Sequence, residues 1–208
     1  MVRTLTVGVD VDDVVADLCS AWLTEYNARW NDTLREWPTW ELTGVVKPEC
    51  GAQVYDILKW PGLYDRVSPI AGALWGVQKI RAMGHRVLFI TSCGYDPDTI
   101  SASSGAKLRW LQRYGFLPEG RGAVEDFVIA AEKRLVKADL LIDDRVSTIE
   151  QWGTRGVLFT RPHNIAHPHW PRVTDWGHVP DLVEHYARWS VENVDPRVGA
   201  FIGEVPRG

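Results

Sequence analysis

The fold is decided by residues 5–13, which read LTVGVDVDD. Leu5–Val11 is a short apolar run rich in β-branched residues, and such runs are typical of a buried strand. The run carries Asp10 and leads into Asp12 and Asp13, so carboxylates stand where the predicted strand leaves the sheet. Because ligands of an open parallel sheet bind just beyond the carboxyl ends of the strands, this stretch predicts a site as well as a fold.

Further along the chain, strand-like and helix-like segments alternate. The predicted strands are Arg86–Thr91, Phe127–Ala130 and Leu140–Ile142, with Gly156–Thr160 as a weaker fifth. Helical periodicity falls between and after them, in Ala71–Met83, Ala106–Tyr114 and Pro180–Trp189. Strands that alternate with helices predict an α/β, Rossmann-like parallel sheet with helices on both faces.

One interval in this pattern is too long for a simple connection. A crossover between parallel strands needs about a dozen residues or more, and Ala71–Met83 already supplies its helix. The remaining residues before that helix therefore predict a small helical cap, inserted after the first strand over the C-terminal edge of the sheet. The predicted division of the chain is residues 1–16 and 70–189 for the core, 17–69 for the cap and 190–208 for a C-terminal arm.

Composition excludes several classes of protein. The chain has 208 residues and a net charge of -4, whereas proteins that bind nucleic acid polymers carry a basic excess. No apolar run reaches the roughly 20 residues that span a bilayer, so no membrane partner is expected. Cys19, Cys50 and Cys93 lie far apart without metal-binding spacing, which favours reduced thiols and a cytoplasmic location.

Polar side chains follow each of the first four predicted strands. They are Asp10, Asp12 and Asp13, then Thr91 and Ser92, then Lys133, then Asp143 and Asp144. A lone Asp at a strand end is more often a turn or helix-capping residue, but here acids, hydroxyls and an ammonium fall at one edge. Close carboxylates repel unless a cation compensates, and Mg²⁺ prefers oxygen ligands. The combination predicts phosphoryl transfer to a carboxylate nucleophile.

These stretches resemble the motifs of the haloacid dehalogenase-like (HAD) phosphohydrolases. Residues 8–17 (GVDVDDVVAD) resemble the first motif, 89–92 (FITS) the second, Lys133 the third and 139–145 (DLLIDDR) the fourth. Within that superfamily the likeness is closest to the 5′(3′)-deoxyribonucleotidases, to which the stretch 158–164 is also similar. The resemblance implies a nucleoside 5′-monophosphate as substrate, in particular a deoxyribonucleotide such as dUMP or dTMP.

The resemblance also implies a role for each motif residue. Asp10 would attack phosphorus, and Asp12 would act as general acid and then as general base. The implied phosphate-binding residues are Thr91, Ser92 and Lys133. The implied Mg²⁺ ligands are Asp10, the backbone carbonyl of Asp12, and Asp144, with Asp143 adjacent.

The predicted substrate contacts are Leu18, Trp40, Glu41 and Leu42, and the sequence departs from the resembled pattern at two positions near the expected substrate. Leu18 stands where family members place an aromatic residue, and Ala131 stands where deoxyribonucleotidases carry Arg. Trp40, with its neighbours Glu41 and Leu42, is the candidate nucleobase contact, since an indole can stack on a base for about 1–3 kcal/mol. Packing of the small cap is an equal alternative for this tryptophan.

Two other features compete with these assignments. Lys107 is an alternative phosphate-binding lysine, but it lies in a predicted amphipathic helix, where an exposed lysine is the ordinary case, so Lys133 is preferred. His163, His167 and His169 share a stretch broken by two prolines, which favours a surface loop over a zinc site. His163 and Asn164 are expected at the rim of the active site by resemblance.

Three alternatives to a nucleotidase stay open. One is a HAD phosphatase for another small phosphate ester, such as a sugar phosphate. Another is a receiver domain, which has similar residues but carries its phospho-acceptor after a later strand. The third is a catalytically silent nucleotide-binding relative.

The 11 tryptophans in so small a chain also suggest a homodimer.

Overall fold

A computed structural model describes residues 3–94, 96–167 and 170–189, and the predicted C-terminal arm lies outside this part. It contains one sheet of parallel strands in the order β3-β2-β1-β4-β5-β6. The strands are β1 (Thr6–Val9), β2 (Arg86–Thr91), β3 (Phe127–Ile129), β4 (Leu140–Asp143), β5 (Gly156–Phe159) and β6 (Arg172–Val173). The predicted α/β parallel sheet is confirmed, and β6 is an edge strand that the sequence did not reveal.

Strand β1 lies at the centre, between β2 and β4. Val9 is in register with Phe89 on one side and Ile142 on the other, so the three carboxyl ends lie side by side. The close packing explains Gly8, because a Cβ there would lie 2.8 Å from Ile90 Cδ1 and 3.2 Å from the Leu140 carbonyl oxygen. This arrangement brings the predicted acids to one edge.

Six α-helices accompany the sheet within the described residues. They are α1 (Leu18–Trp30), α2 (Leu63–Arg66), α3 (Ala73–Ala82), α4 (Pro97–Arg113), α5 (Val146–Trp152) and α6 (Val179–Trp189). Short 3₁₀ segments include Leu42–Gly44, Gly51–Lys59, Lys133–Leu135 and Pro162–Asn164. The described part contains no helix with the length and hydropathy to cross a membrane.

Helix α4 begins well before the predicted Ala106. Asp96 is its N-cap, and the Asp96 carboxylate accepts hydrogen bonds from the backbone N–H groups of Asp98 and Thr99, each at 3.1 Å. Pro97 occupies the first helical position, where its missing N–H has no cost. The serine-rich first turns lack an apolar stripe, which is why periodicity alone placed the start too late.

Residues 17–69, here called the insertion, pack around large aromatic rings. The ring centroids of Trp22 and Trp37 lie 5.7 Å apart, and those of Tyr26 and Trp37 lie 5.5 Å apart. The Trp22 indole N–H donates to the carbonyl of Val54 at 2.9 Å. This aromatic cluster is continuous with the apolar core under the sheet. The helical character predicted for this segment is partly 3₁₀ rather than α, since Gly51–Lys59 is a 3₁₀ helix.

Candidate active site

Three buried carboxylates meet at the carboxyl end of the central strands. Asp10 follows β1, and its backbone N–H donates to the Ile142 carbonyl at 2.9 Å, which prolongs the pairing with β4. Asp10, Asp143 and Asp144 each offer an oxygen atom within 4.8 Å of the others. The sheet thus brings together the two acidic motifs that lie far apart in sequence.

Lys133 lies between two of these acids. Its Nζ atom is 2.7 Å from Asp10 Oδ1 and 2.7 Å from Asp143 Oδ2. Burial alone would lower the pKa of Lys133, but the two carboxylates raise it above its ordinary value. Lys133 therefore stays protonated and supplies a fixed positive charge beside Asp10.

One lysine does not neutralise the acidic cluster. Burial raises the pKa of Asp10 to about 6, with further contributions from Asp143 and Asp12, against the lowering effect of Lys133. Burial likewise raises the pKa of Asp143. Additional positive charge is needed to keep both carboxylates ionised, as nucleophile and ligand must be.

The donor set fits a hard divalent cation. Asp144 Oδ2 is buried and accepts no hydrogen bond from the described residues. His163 Nε2 lies 2.8 Å from it, but not in hydrogen-bonding geometry. An unsatisfied buried carboxylate oxygen beside two further acids is the all-oxygen environment that Mg²⁺ prefers.

Lys107 also belongs to this site. The prediction that it is exposed is wrong, because Lys107 is only 2% exposed. Its Nζ atom lies 2.6 Å from Asp12 Oδ2 and donates to Thr91 Oγ1 at 2.9 Å and to the Ser92 carbonyl oxygen. Lys107 lies on the buried side of α4, and its side chain carries the ammonium to the end of β2. The two lysines serve different acids, Lys133 beside Asp10 and Lys107 beside Asp12.

The two predicted phosphate-binding hydroxyls differ in exposure. Thr91 is fully buried at the end of β2 and bonded to Lys107, whereas Ser92 lines the cavity described next. Ala131, where a resembled enzyme would carry Arg, also lines that cavity.

A cavity of about 610 Å³ lies between the sheet edge and the insertion. Its polar end contains Asp10, Asp12, Lys107 and Lys133. The rest of its lining is mixed. It includes the aromatic and aliphatic residues Leu18, Trp22, Trp40, Tyr55, Leu63 and Tyr64, together with the charged residues Glu41, Lys59, Asp96 and Arg145. A pocket that combines a cluster of charged groups with aromatic and aliphatic side chains fits a molecule that joins a phosphate to a flat ring.

The four predicted substrate contacts are not equivalent. Leu18, Trp40 and Glu41 line the cavity. Leu42 does not: it is fully buried in the core, and its backbone N–H donates to the Tyr55 hydroxyl at 2.9 Å. Its contribution is to fix a cavity-lining tyrosine, which sequence proximity to Trp40 could not show.

Trp40 lies in the insertion and contacts two residues from outside it. Its ring centroid lies 4.5 Å from that of His163, and the Arg145 guanidinium carbon lies 5.8 Å from the indole centroid. The indole Nε1 is buried without a hydrogen-bond partner among the described residues. Trp40 therefore both packs the structure and presents an unused donor.

The predicted histidine loop needs a correction. The side chain of His163 is 2% exposed and packs between Trp40 and Asp144, so it is not a surface residue. His167 is exposed, as expected, and His169 lies outside the described residues. Asn164 is fully buried, and its amide donates to the carbonyls of Asp144 and Phe159 at 2.8 Å each, which ties two strand-end loops together.

Sequence reasoning missed the partner of Asp13. This buried residue has a φ of +56°, a conformation that Asp tolerates better than most residues other than Gly. Its Oδ1 atom accepts from the Cys19 backbone N–H at 3.0 Å and lies 3.2 Å from Arg161 Nη2. Burial, reinforced by Asp144, raises the pKa of Asp13 to about 7 against the lowering effect of Arg161. No local pattern links positions so far apart in the chain.

Tyr64 is a second residue that the sequence did not indicate. It is 7% exposed, lies in α2 within the insertion, and its hydroxyl donates to Asp12 Oδ1. Burial, with Asp12 next in effect, raises the pKa of Tyr64 well above its ordinary range, so the hydroxyl keeps its proton.

Comparison with known proteins agrees with this geometry. Residues 3–189 match the family described as 5′ nucleotidase, deoxy (pyrimidine), cytosolic type C protein. The chain is 25% identical over 182 residues to a 5′(3′)-deoxyribonucleotidase of Clostridium acetobutylicum, which covers 86% of this chain and 94% of that protein. It is 28% identical over 176 residues to a protein of the same name from Bacillus subtilis, covering 83% and 95%.

A solved structure supports the fold. A haloacid dehalogenase-like family hydrolase from Xanthomonas campestris superposes with a TM-score of 0.50 at 16% identity, over 90% of this chain and 98% of that chain. The parallel sheet, with an acidic cluster at the carboxyl edge of its central strands, shares its fold with that hydrolase. The chain belongs to the 5′ nucleotidase, deoxy (pyrimidine), cytosolic type C protein family. It is a phosphoric monoester hydrolase of the 5′-nucleotidase type, which confirms the predicted family and class of enzyme.

Proposed function

We propose that this enzyme is a Mg²⁺-dependent phosphatase of nucleoside 5′-monophosphates, with deoxyribonucleotides such as dUMP and dTMP as its substrates. The observation that carries the proposal is the pairing of Asp10 with Lys133 beside Asp12 with Lys107, at the polar end of a cavity with aromatic walls. The names of the relatives support the deoxyribonucleotide assignment.

In the proposed reaction, a carboxylate oxygen of Asp10 attacks phosphorus while the ester P–O bond breaks. Asp12 transfers its proton to the departing nucleoside oxygen, so the nucleoside leaves as an alcohol. A phospho-aspartate on Asp10 results. Asp12, now a base, takes a proton from water, whose oxygen attacks phosphorus and releases inorganic phosphate and the Asp10 carboxylate.

Other residues hold the phosphoryl group during these steps. We assign Lys133, Ser92 and Thr91 to this role. Lys133 lies beside the nucleophile, and Ser92 lines the cavity directly after β2. The hydroxyl of Thr91, the last residue of β2, is buried and bonded to Lys107. Asp10, Asp144 and the carbonyl of Asp12 would hold Mg²⁺, with Asp143 adjacent. When bound, this cation offsets the negative charge of the phosphate and the acids.

The insertion acts as the cap in this proposal. Leu18, Trp40 and Glu41 belong to it and line the cavity, so a bound nucleoside would lie against them. Stacking on an indole contributes about 1–3 kcal/mol per base. Residues 1–16 and 70–189 would form the core that carries out the chemistry, and the cap would exclude bulk water from it.

A substrate panel tests the proposal. Phosphate release is measured from dUMP, dTMP, UMP and a sugar phosphate, with Mg²⁺ and with a chelator. We expect Mg²⁺-dependent release from the deoxyribonucleotides, abolished by Asp10→Asn. The matched control is Asp181→Asn, an exposed acid in α6, which should keep full activity. Equal or better turnover of the sugar phosphate would instead favour the broader HAD phosphatase.

A cytoplasmic location and a homodimer complete the proposal. The three cysteines are free thiols in the structure, which suits a reducing compartment. Light scattering on the purified enzyme tests the oligomeric state, and a monomer at assay concentrations would reject the dimer.

A further inference from the structure

The carboxylate of Asp12 is held from both sides. Its Oδ1 atom accepts the hydrogen bond from the Tyr64 hydroxyl, and its Oδ2 atom lies 2.6 Å from Lys107 Nζ. One contact comes from the insertion and the other from a helix of the sheet layer. The Asp12 side chain is 22% exposed, so it remains open to the cavity while both oxygens are engaged.

The segments that carry Tyr64 and Lys107 are linked to each other by further contacts. Helix α2, which carries Tyr64, is followed by Val67, whose carbonyl accepts the Trp110 indole N–H at 2.9 Å. Trp110 lies three residues after Lys107 on α4, so the same turn of helix anchors both contacts. A second link joins these helices, since Arg113 Nη2 lies 2.9 Å from Asp65 Oδ1.

We propose that Tyr64 is a positioning residue for Asp12, and that with Lys107 it aims the carboxyl group of Asp12 at the leaving oxygen of the substrate. The inference rests on the proposed role of Asp12 as proton donor. A proton donor is effective only within hydrogen-bond reach of the departing atom and in the right direction, and a carboxylate held at one oxygen alone can rotate away.

The inference predicts an effect that depends on the leaving group. Cleavage of a nucleoside 5′-phosphate releases an alkoxide, which must be protonated as the P–O bond breaks. Cleavage of p-nitrophenyl phosphate releases a stabilised phenolate, which needs no proton. Loss of the Tyr64 hydroxyl should therefore slow the first reaction and spare the second.

The experiment compares kcat/KM of wild type and Tyr64→Phe for dTMP and for p-nitrophenyl phosphate, both with Mg²⁺. This ratio reports the steps up to ester cleavage. We expect a loss of about tenfold or more on dTMP, smaller than the about 10²–10⁴-fold of general acid catalysis because Asp12 itself is retained, and less than about threefold on the aryl ester. Retained aryl ester hydrolysis also shows that the variant is folded. Asp12→Asn should show the same selectivity in stronger form.

The matched control is Tyr26→Phe. Tyr26 is another buried tyrosine of the insertion, and its hydroxyl bonds to Asp32 and to the Lys47 backbone N–H, away from the cavity lining. Tyr26→Phe should therefore leave kcat/KM for dTMP unchanged relative to kcat/KM for p-nitrophenyl phosphate. Equal loss on both esters in Tyr64→Phe, or no loss on either, would overturn the inference while leaving the proposed function intact. A wild-type enzyme that cleaves neither ester would overturn the proposed function and this inference together.

Discussion

The ammonium of Lys133 lies 2.7 Å from the carboxylate of Asp10, and both groups are buried. Before substrate binds, this pairing stabilises the ionised form of the proposed nucleophile against the effect of burial. Once a phosphoryl group enters, its oxygens compete for the same ammonium. Lys133 is thus placed to pair with Asp10 before substrate binds and with the phosphoryl oxygens afterwards.

Lys133→Met should abolish phosphatase activity, because Asp10 and the phosphoryl oxygens lose their fixed positive charge. Removing one such electrostatic donor typically costs about 10²–10³ in rate. The measurement is kcat for dTMP with saturating Mg²⁺. Lys137→Met is the matched control, since Lys137 is exposed and lies only four residues away. Activity within a few fold of wild type in Lys133→Met would reject its role.

Metal-free protein should become less stable as the pH rises. Burial raises the pKa of Asp10 from 3.8 to about 6 and that of Asp13 from 3.8 to about 7. Folding therefore favours the protonated acids, so this contribution to stability is present below pH 3.8 and is lost as the pH rises through about 6 and 7. Urea unfolding in a chelator at about pH 5 and about pH 8 measures the difference.

Two variants test whether Asp13 causes this pH dependence of the unfolding free energy. Asp13→Asn removes one of the two groups, so the loss of stability between the two pH values should shrink, whereas Asp181→Asn should leave it unchanged. Mg²⁺ should raise the unfolding free energy more at the higher pH, where the ligands are already deprotonated. An unchanged pH dependence in Asp13→Asn would contradict the assignment.

Arg161→Met should destabilise the fold, because it leaves the buried carboxylate of Asp13 without its cation. Breaking a buried pair costs about 3–5 kcal/mol, and we expect about 2–3 kcal/mol here since Asp13 can take up a proton. Chemical denaturation measures the change. Adding Asp13→Asn to this variant should recover part of the loss, and Arg188→Met, an exposed arginine of α6, should cost little.

Trp40→Ala should weaken nucleotide binding more than it affects the chemistry. Loss of a stacking surface worth about 1–3 kcal/mol raises KM for dTMP about tenfold, while p-nitrophenyl phosphate, which has no base, is less affected. Trp60→Ala is the control: Trp60 also lies in the insertion, but its ring packs under the Arg66 guanidinium, 4.9 Å away. Equal effects on both substrates would indicate that Trp40 only packs the structure.

Much of the core could be predicted because its strands are short apolar runs that end in charged residues. Parallel pairing then makes the meeting of Asp10 with Asp143 almost inevitable, since adjacent strands finish at the same edge. The burial of Lys107 was not predictable in this way, because an amphipathic pattern does not show which turn of a helix faces the site. Tyr64 escaped for a related reason: its contact with Asp12 depends on how the insertion folds back.

Two short elements of the fold, β6 and α5, were also not predicted from the sequence. Strand β6 has two residues, Arg172 and Val173, and so short a segment has no period to detect. Helix α5 is seven residues long, about two turns, and so short a helix has too few apolar positions to show a helical period. Both were settled by their neighbours in the sheet layer and not by local preference.

The apolar interior runs without a break from beneath the sheet into residues 17–69. Exchanging that segment for its counterpart from a relative would therefore cut through a shared interior and leave mismatched surfaces on both sides. Redesign of substrate preference in this scaffold should proceed by single changes to cavity walls such as Leu18 and Glu41, with the interior beneath them left as it is.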